Sequence, residues 1–87
     1  MNQIEIKSKI ERALPGSSVQ VEDLTGTQDH YRVVVVSDQF VGKTMVNQHR
    51  LVKAVFENDI QSGSLHALSL KTYTPDEWAR AQGVQNG

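Results

Sequence analysis

Apolar residues recur with two different periods along this chain. Ile6, Ile10, Ala13 and Leu14 return at helical spacing until Pro15-Gly16 stops the run, which predicts an amphipathic helix of about three turns. Val19 and Val21 then alternate with polar residues through 18–24, the pattern of a half-buried strand. A polar loop, TGTQD (25–29), leads into HYRVVVVS (30–37), a second strand. Its four valines are β-branched and predict a central strand covered on both faces. A loop of this length between two strands predicts an antiparallel hairpin.

The helical period returns after a turn at DQFVGKT (38–44), which Phe40 is expected to anchor. Leu51, Val52, Val55, Phe56 and Ile60 form one apolar stripe within 45–60. The polar run NQHR (47–50) predicts a turn dividing a short helix from a longer one, and Ser62-Gly63 ends the second. SLHALSLKT (64–72) reads as a third strand. Thr74 is then a helix cap, with Pro75 at the first helical position and Glu77 three residues after the cap. Trp78 is expected to fold back onto the core, and 83–87 is expected to be a tail beyond an ordered core of about 4–82. The order αββααβα predicts a single α+β domain over 1–87, with a three-stranded mixed sheet packed mainly on one face by helices.

Composition narrows the chemistry. The chain has 87 residues, the size of one domain with a small core. It has no cysteine, which removes disulfides, thiolate zinc sites, cysteine nucleophiles and any iron–sulfur cluster held by this chain alone. No apolar run approaches the length of a membrane span. The opening MNQIEIKSKIERAL mixes charges with its isoleucines, unlike a signal peptide, so a cytoplasmic protein is expected. A net charge of −1 argues against gripping nucleic acid by bulk electrostatics, although a local basic patch remains open.

His30, His49 and His66 are the candidates for metal or contact chemistry. No two lie one helical turn apart, so a zincin-like pair is excluded. His66 is the odd one, because it interrupts the apolar alternation of its strand on the face expected to carry Leu68 and Leu70. Two readings stand for it: an edge-of-core ring bonded to backbone, or an imidazole held rigidly outward as a nitrogen ligand for a metal brought by a partner. His49 is either a cap at the expected helix junction or a contact residue beside Arg50. His30 is either solvated or a contributor to a shared site. The FVGK turn (40–43) opens a helix with Lys43, Arg50 and Lys53 nearby, but its single glycine, Gly42, favours a plain turn over a phosphate clamp. Asp38 and Asp76 are expected to be capping or solvated residues. No paired carboxylate, Ser-His-Asp set or Gly-rich loop with its lysine is present, so an enzyme is not expected.

Taken together, VVVVSDQFVGKTMVNQHRLVKAVF followed by LHALSLKTYTPDEW resembles the BolA family. The order is specific: a valine-rich strand, Phe-x-Gly, His-Arg-x-Val, His-Ala-Leu-Ser, then Thr-Pro-x-Glu-Trp, and the resemblance runs from about Ile6 to about Ala81. It implies a fold similar to the type II KH domain. It also implies a monothiol glutaredoxin as partner, with a [2Fe–2S] cluster shared between the two chains and glutathione, and no cofactor in the isolated protein. The histidine of the family's His-Ala-Leu motif falls on His66. The family's second ligand usually sits in the loop between the first two strands, as histidine or cysteine. Here TGTQD holds neither, and His30 follows directly at its end as the tentative second ligand. The resemblance makes His49, Arg50 and Lys53 contact residues for the partner or glutathione. Some relatives are DNA-binding transcription regulators, so the alternative is a nucleic-acid-binding regulator using the Gly42 turn, Lys43 and the helix beyond. Alone, the chain is expected to be a monomer or a weak homodimer, with a housekeeping and a stress-response role both open.

Overall fold

The computed structural model describes residues 1–26, 30–65 and 67–83. Its elements follow the expected order: α1 (Gln3–Ala13), β1 (Ser18–Asp23), β2 (His30–Val36), α2 (Met45–Val55), α3 (Glu57–Ser62), β3 (Ala67–Tyr73) and α4 (Pro75–Ala81). A 3-10 turn at Asp38–Phe40 stands between β2 and α2. The strands lie in the order β1-β2-β3. β1 pairs antiparallel with β2, from Ser18 opposite Val36 to Asp23 opposite Tyr31. β2 pairs parallel with β3, from His30 opposite Ala67 to Val36 opposite Tyr73.

Alternation along these strands sorts the side chains onto two faces. Tyr31, Val33 and Val35 are buried against Ile6, Ile10 and Leu14 of the α1 segment, Val52 of α2 and Phe56, while Leu68 and Leu70 pack at the margin of the same core. Val34 and Val36 point to the opposite face and are only half-buried. The valine run therefore belongs to a central strand covered by helices on one face rather than both. Four β-branched residues suit the middle of a sheet whether or not a second layer caps it, since lateral neighbours on both sides shield them.

The helical half departs from expectation at its polar run. NQHR does not break the helix, and α2 continues through it to Val55. The reason is Gln48, which is 6% exposed and stands one and two helical turns ahead of the core residues Val52 and Phe56. Its amide nitrogen donates to the Phe40 carbonyl at 3.3 Å and to the Lys43 carbonyl at 3.0 Å. Its amide oxygen accepts from the buried Thr72 hydroxyl at 2.7 Å. A buried amide with every bond made is compatible with a core position. Of the expected stripe, Leu51 and Ile60 are exposed at its borders. The break between the two helices falls instead at Phe56, whose φ of −111° and ψ of 11° leave the α region while its ring stays fully buried.

Smaller differences have local causes. α1 starts earlier than its apolar pattern suggests, because Asn2 and Glu5 form a reciprocal capping box with both bonds at 2.9 Å. Ser37, not Asp38, caps the 3-10 turn, and Phe40 anchors it with no exposed surface. Among the described residues β3 begins at Ala67 rather than at 64, and Leu65 ahead of it is buried. Thr74, Pro75 and Glu77 cap α4 as the sequence predicts. Trp78 stays half-buried outside the core and packs on Tyr73, ring centroids 5.1 Å apart and planes at 59°. The expected tail beyond Gly83 lies outside the described residues.

Gln48→Leu strips the Lys43 carbonyl and the Thr72 hydroxyl of their buried partner, and is expected to lower stability by about 2–3 kcal/mol in urea denaturation. A change near zero would show that the amide contributes nothing beyond its packing. Thr74→Ala is expected to cost about 1 kcal/mol through loss of the α4 cap.

Candidate functional site

Two surfaces hold the residues that the sequence singles out. The first lies where the β1–β2 loop meets the start of β3. Asp23 shapes the loop entrance, its carboxylate accepting the Thr25 amide at 3.2 Å and the Gly26 amide at 2.9 Å. His30 closes the loop exit, its carbonyl accepting the Leu24 amide at 2.9 Å. The His30 residue is exposed, and in the parallel register it stands opposite Ala67. Ala67 directly follows His66 in the chain; His66 itself and loop positions 27–29 lie outside the described residues. β2, paired by β1 on one side and β3 on the other, is a rigid mount for the His30 imidazole.

Among the described residues at this surface, His30 offers imidazole nitrogen, while the Asp23 carboxylate accepts from loop amides. Among the described residues no group of three or more His, Cys, Asp or Glu side chains lies close enough to hold a metal ion. With no thiolate anywhere in the chain, these residues fit a cluster whose sulfur ligands come from a partner, and do not fit one held alone.

The second surface is the outer side of α2. Lys43 and Arg50 border one shallow groove together with Asn47 and Leu51, and Arg50 and Lys53 border the next one along the helix. The three cations expected to act together thus form a continuous exposed strip. Gly42 lies at its N-terminal end with φ +80°; a Cβ there would meet nothing within 4 Å, so the backbone conformation rather than space calls for glycine. The turn opens onto a groove of about 470 Å³ shared with the start of α4, whose Asp76 and Glu77 bring negative charge beside Lys43. That acidic neighbourhood could not be read from the turn alone. The exposed apolar trio Val41, Met45 and Val46 beside it also escaped the sequence reading. For Val46 the available signal was that it falls off the line of Gln48, Val52 and Phe56; Met45, seven residues before Val52, lies on that line and gave no such signal.

His49 sits inside α2 and not at a helix junction, so the capping role is overturned. It lines a groove with Met45, Leu70 and Tyr73, beside the C-terminal half of β3. His30 pairs at the opposite end of that strand, so the two histidines belong to separate surfaces. Partial burial, and then the charge of Lys53 one turn away, hold the His49 imidazole below its ordinary pKa of 6.5.

Comparison with known proteins follows the same outline. The sequence profile of the family of BolA-like proteins matches residues 3–77. The human protein named BolA-like protein 2 is 40% identical over 77 residues, covering 86% of this chain and 87% of that protein. The Escherichia coli (strain K12) protein named DNA-binding transcriptional regulator BolA is 40% identical over 61 residues, which span 70% of this chain and 54% of that protein. The solved structure of a BolA homologue from Coxiella burnetii superposes with a TM-score of 0.77 at 41% identity, over 92% of this chain and 99% of that one.

The depressed His49 pKa has a defined consequence. Above pH 6.5 the ring is neutral both folded and unfolded; as pH falls below 6.5 the unfolded chain takes up the proton first, so stability declines toward the lower folded pKa. The His49 ring resonances in NMR are expected to titrate with a midpoint below 6.5, and Lys53→Met is expected to move that midpoint upward. A midpoint at or above 6.5 in the wild type would contradict both causes.

Proposed function

This chain belongs to the BolA family, and from that premise we propose that it is an adaptor for a monothiol glutaredoxin, sharing a [2Fe–2S] cluster with it through histidine in cluster assembly, transfer or iron-redox regulation. His66 is the main ligand and His30 the second. The observation that supports the pairing is the parallel register: the exposed His30 stands opposite Ala67, the immediate chain neighbour of His66. The partner's cysteine and glutathione provide the sulfur that a cysteine-free chain lacks.

When bound, such a cluster supplies iron and sulfide for delivery together with one-electron redox chemistry. The part played by this chain is to hold neutral imidazole nitrogen where a thiolate would otherwise bind. Neutral ligands leave the assembly less negative and raise its reduction potential. A weakly held nitrogen is also easier to displace than a thiolate, which suits transfer onward. His49 and the strip of Lys43, Arg50 and Lys53 are contact residues, the cations meeting carboxylates of glutathione or of the partner surface. No helix among the described residues is long and apolar enough to cross a membrane, and a cytoplasmic setting accords with this reading.

A second reading has its own observation. The Escherichia coli relative is named a DNA-binding regulator, and the exposed strip on α2 beyond the Gly42 turn is the basic surface that could meet phosphates. The net charge of −1 and the acidic start of α4 weigh against it.

Mixing the protein with cluster-loaded glutaredoxin is expected to change the visible absorption and circular dichroism of the cluster. His66→Ala should abolish the change and His30→Ala should weaken it. An unaltered spectrum on mixing with the wild type would end the adaptor reading. For the second reading, DNA affinity should fall steeply with salt, and Lys43→Ala should reduce the slope by about 1. Affinity indifferent to salt would remove it.

A further inference from the structure

Parallel pairing with β2 uses only one edge of β3. The Tyr73 carbonyl accepts the Ser37 amide at 3.0 Å, so Tyr73 turns its main-chain groups toward β2. Successive residues of a strand turn these groups to opposite sides. Lys71 therefore faces β2 as Tyr73 does, whereas Leu70 and Thr72 present their N–H and C=O groups outward. Among the described residues no strand lies on that side.

A groove of about 320 Å³ borders this edge, with Met45 and His49 of α2 as one wall and residues 70–73 as the other. The Leu70 and Thr72 side chains turn to the helix layer, where the Thr72 hydroxyl meets Gln48. Lys71 points to the opposite face and is exposed. A strand added here has its alternate side chains in two different settings. Those on the helix side meet the half-buried Leu70 and Met45, which is 67% exposed. The one opposite Lys71 meets an ammonium group. Burial and the charge of Lys53 keep His49 neutral at pH 7. Lys71 is thus the one charged group lining the groove, and no carboxylate lining it balances that charge.

A second copy of this chain fits poorly. Antiparallel pairing of Leu70 with Thr72 of another copy sets the two Lys71 side chains directly opposite each other, a repelling cross-strand pair.

We propose that the outer edge of β3 receives an extended segment of another protein, in which apolar residues flank a carboxylate. The main chain of the segment bonds to Leu70 and Thr72, its apolar side chains lie against Met45 and Leu70, and its Asp or Glu stands opposite Lys71. Strand addition of this kind draws affinity from main-chain bonds and selectivity from alternate side chains. The site uses neither histidine ligation nor the cationic strip on α2, so it stands apart from the adaptor reading.

The test uses the peptide acetyl-Thr-Val-Glu-Val-Thr-amide and amide exchange followed by NMR. In the free protein the Leu70 and Thr72 amides should exchange faster than those of Ser69 and Lys71, and the peptide should slow them. Replacing the peptide's Glu by Lys should weaken binding about fivefold. Lys71→Glu should reverse that preference, and Lys7→Glu, the same charge change on α1, should leave it as in the wild type. Met45→Ala, at an exposed position, should weaken binding with the circular dichroism of the fold unchanged. N-methylation of the peptide's two valines should abolish binding. Equal affinity of the Glu and Lys peptides, or binding that survives methylation, overturns the proposal. Slowing of the Leu70 and Thr72 amides by rising protein concentration alone assigns the edge to a second copy. Slowing by single-stranded DNA and not by the peptide assigns it to nucleic acid. Either result also overturns the proposal.

Discussion

Two parallel neighbouring strands cannot be joined by a tight turn, and that constraint shapes most of this fold. The end of β2 and the start of β3 lie at opposite ends of the sheet, so the chain must cross back over one face. The 3-10 turn, α2 and α3 make that crossing, and the residues they bury beneath them, Val33, Val35, Val52 and Phe56, form much of the core. Parallel pairing also sets which residues meet at the far end of the ladder, placing His30 opposite Ala67.

The crossing is pinned by a polar contact as well as by apolar ones. Gln48 joins the turn ahead of α2 to the strand beyond it, reaching the Phe40 and Lys43 carbonyls on one side and Thr72 on the other. Since each of these groups is buried or partly buried, losing the amide would leave unmet partners rather than merely weaken packing. At the other end of the crossing, Asp59 and Lys9 hold the exit from α3 against α1. The crossing is thus fastened to the sheet at its entrance, through Thr72, and to α1 at its exit.

Much of this was legible in the sequence because it is local. Alternation at Val19 and Val21, the β-branched run along 33–36, the stop at Pro15-Gly16 and the Thr74-Pro75-Glu77 signature each depend on residues a few positions apart, and each element stands where they place it. The misreadings share a different cause. Gln48 reads as surface because its polarity is visible, whereas its partner Thr72 is 24 positions away. The same blindness moved the helix break from Phe56 to NQHR, since a polar run looks like a turn unless its buried bonds are known. The pairing of Lys9 with Asp59 spans 50 positions and leaves no periodic trace. At the candidate site the sequence supplied the histidines and cations by type, and the fold separated them: Lys43, Arg50 and Lys53 share one surface, whereas His30 and His49 lie toward opposite ends of β3.

With the strands in the order β1-β2-β3, β3 borders the sheet and carries backbone groups on its outer side that β2 does not pair. An open border of this kind can template the addition of a strand from another molecule, the first step toward fibrous aggregates. Lys71 lies in the middle of that border strand and is exposed. An incoming strand would have to strip water from its ammonium group, a cost that works against such addition.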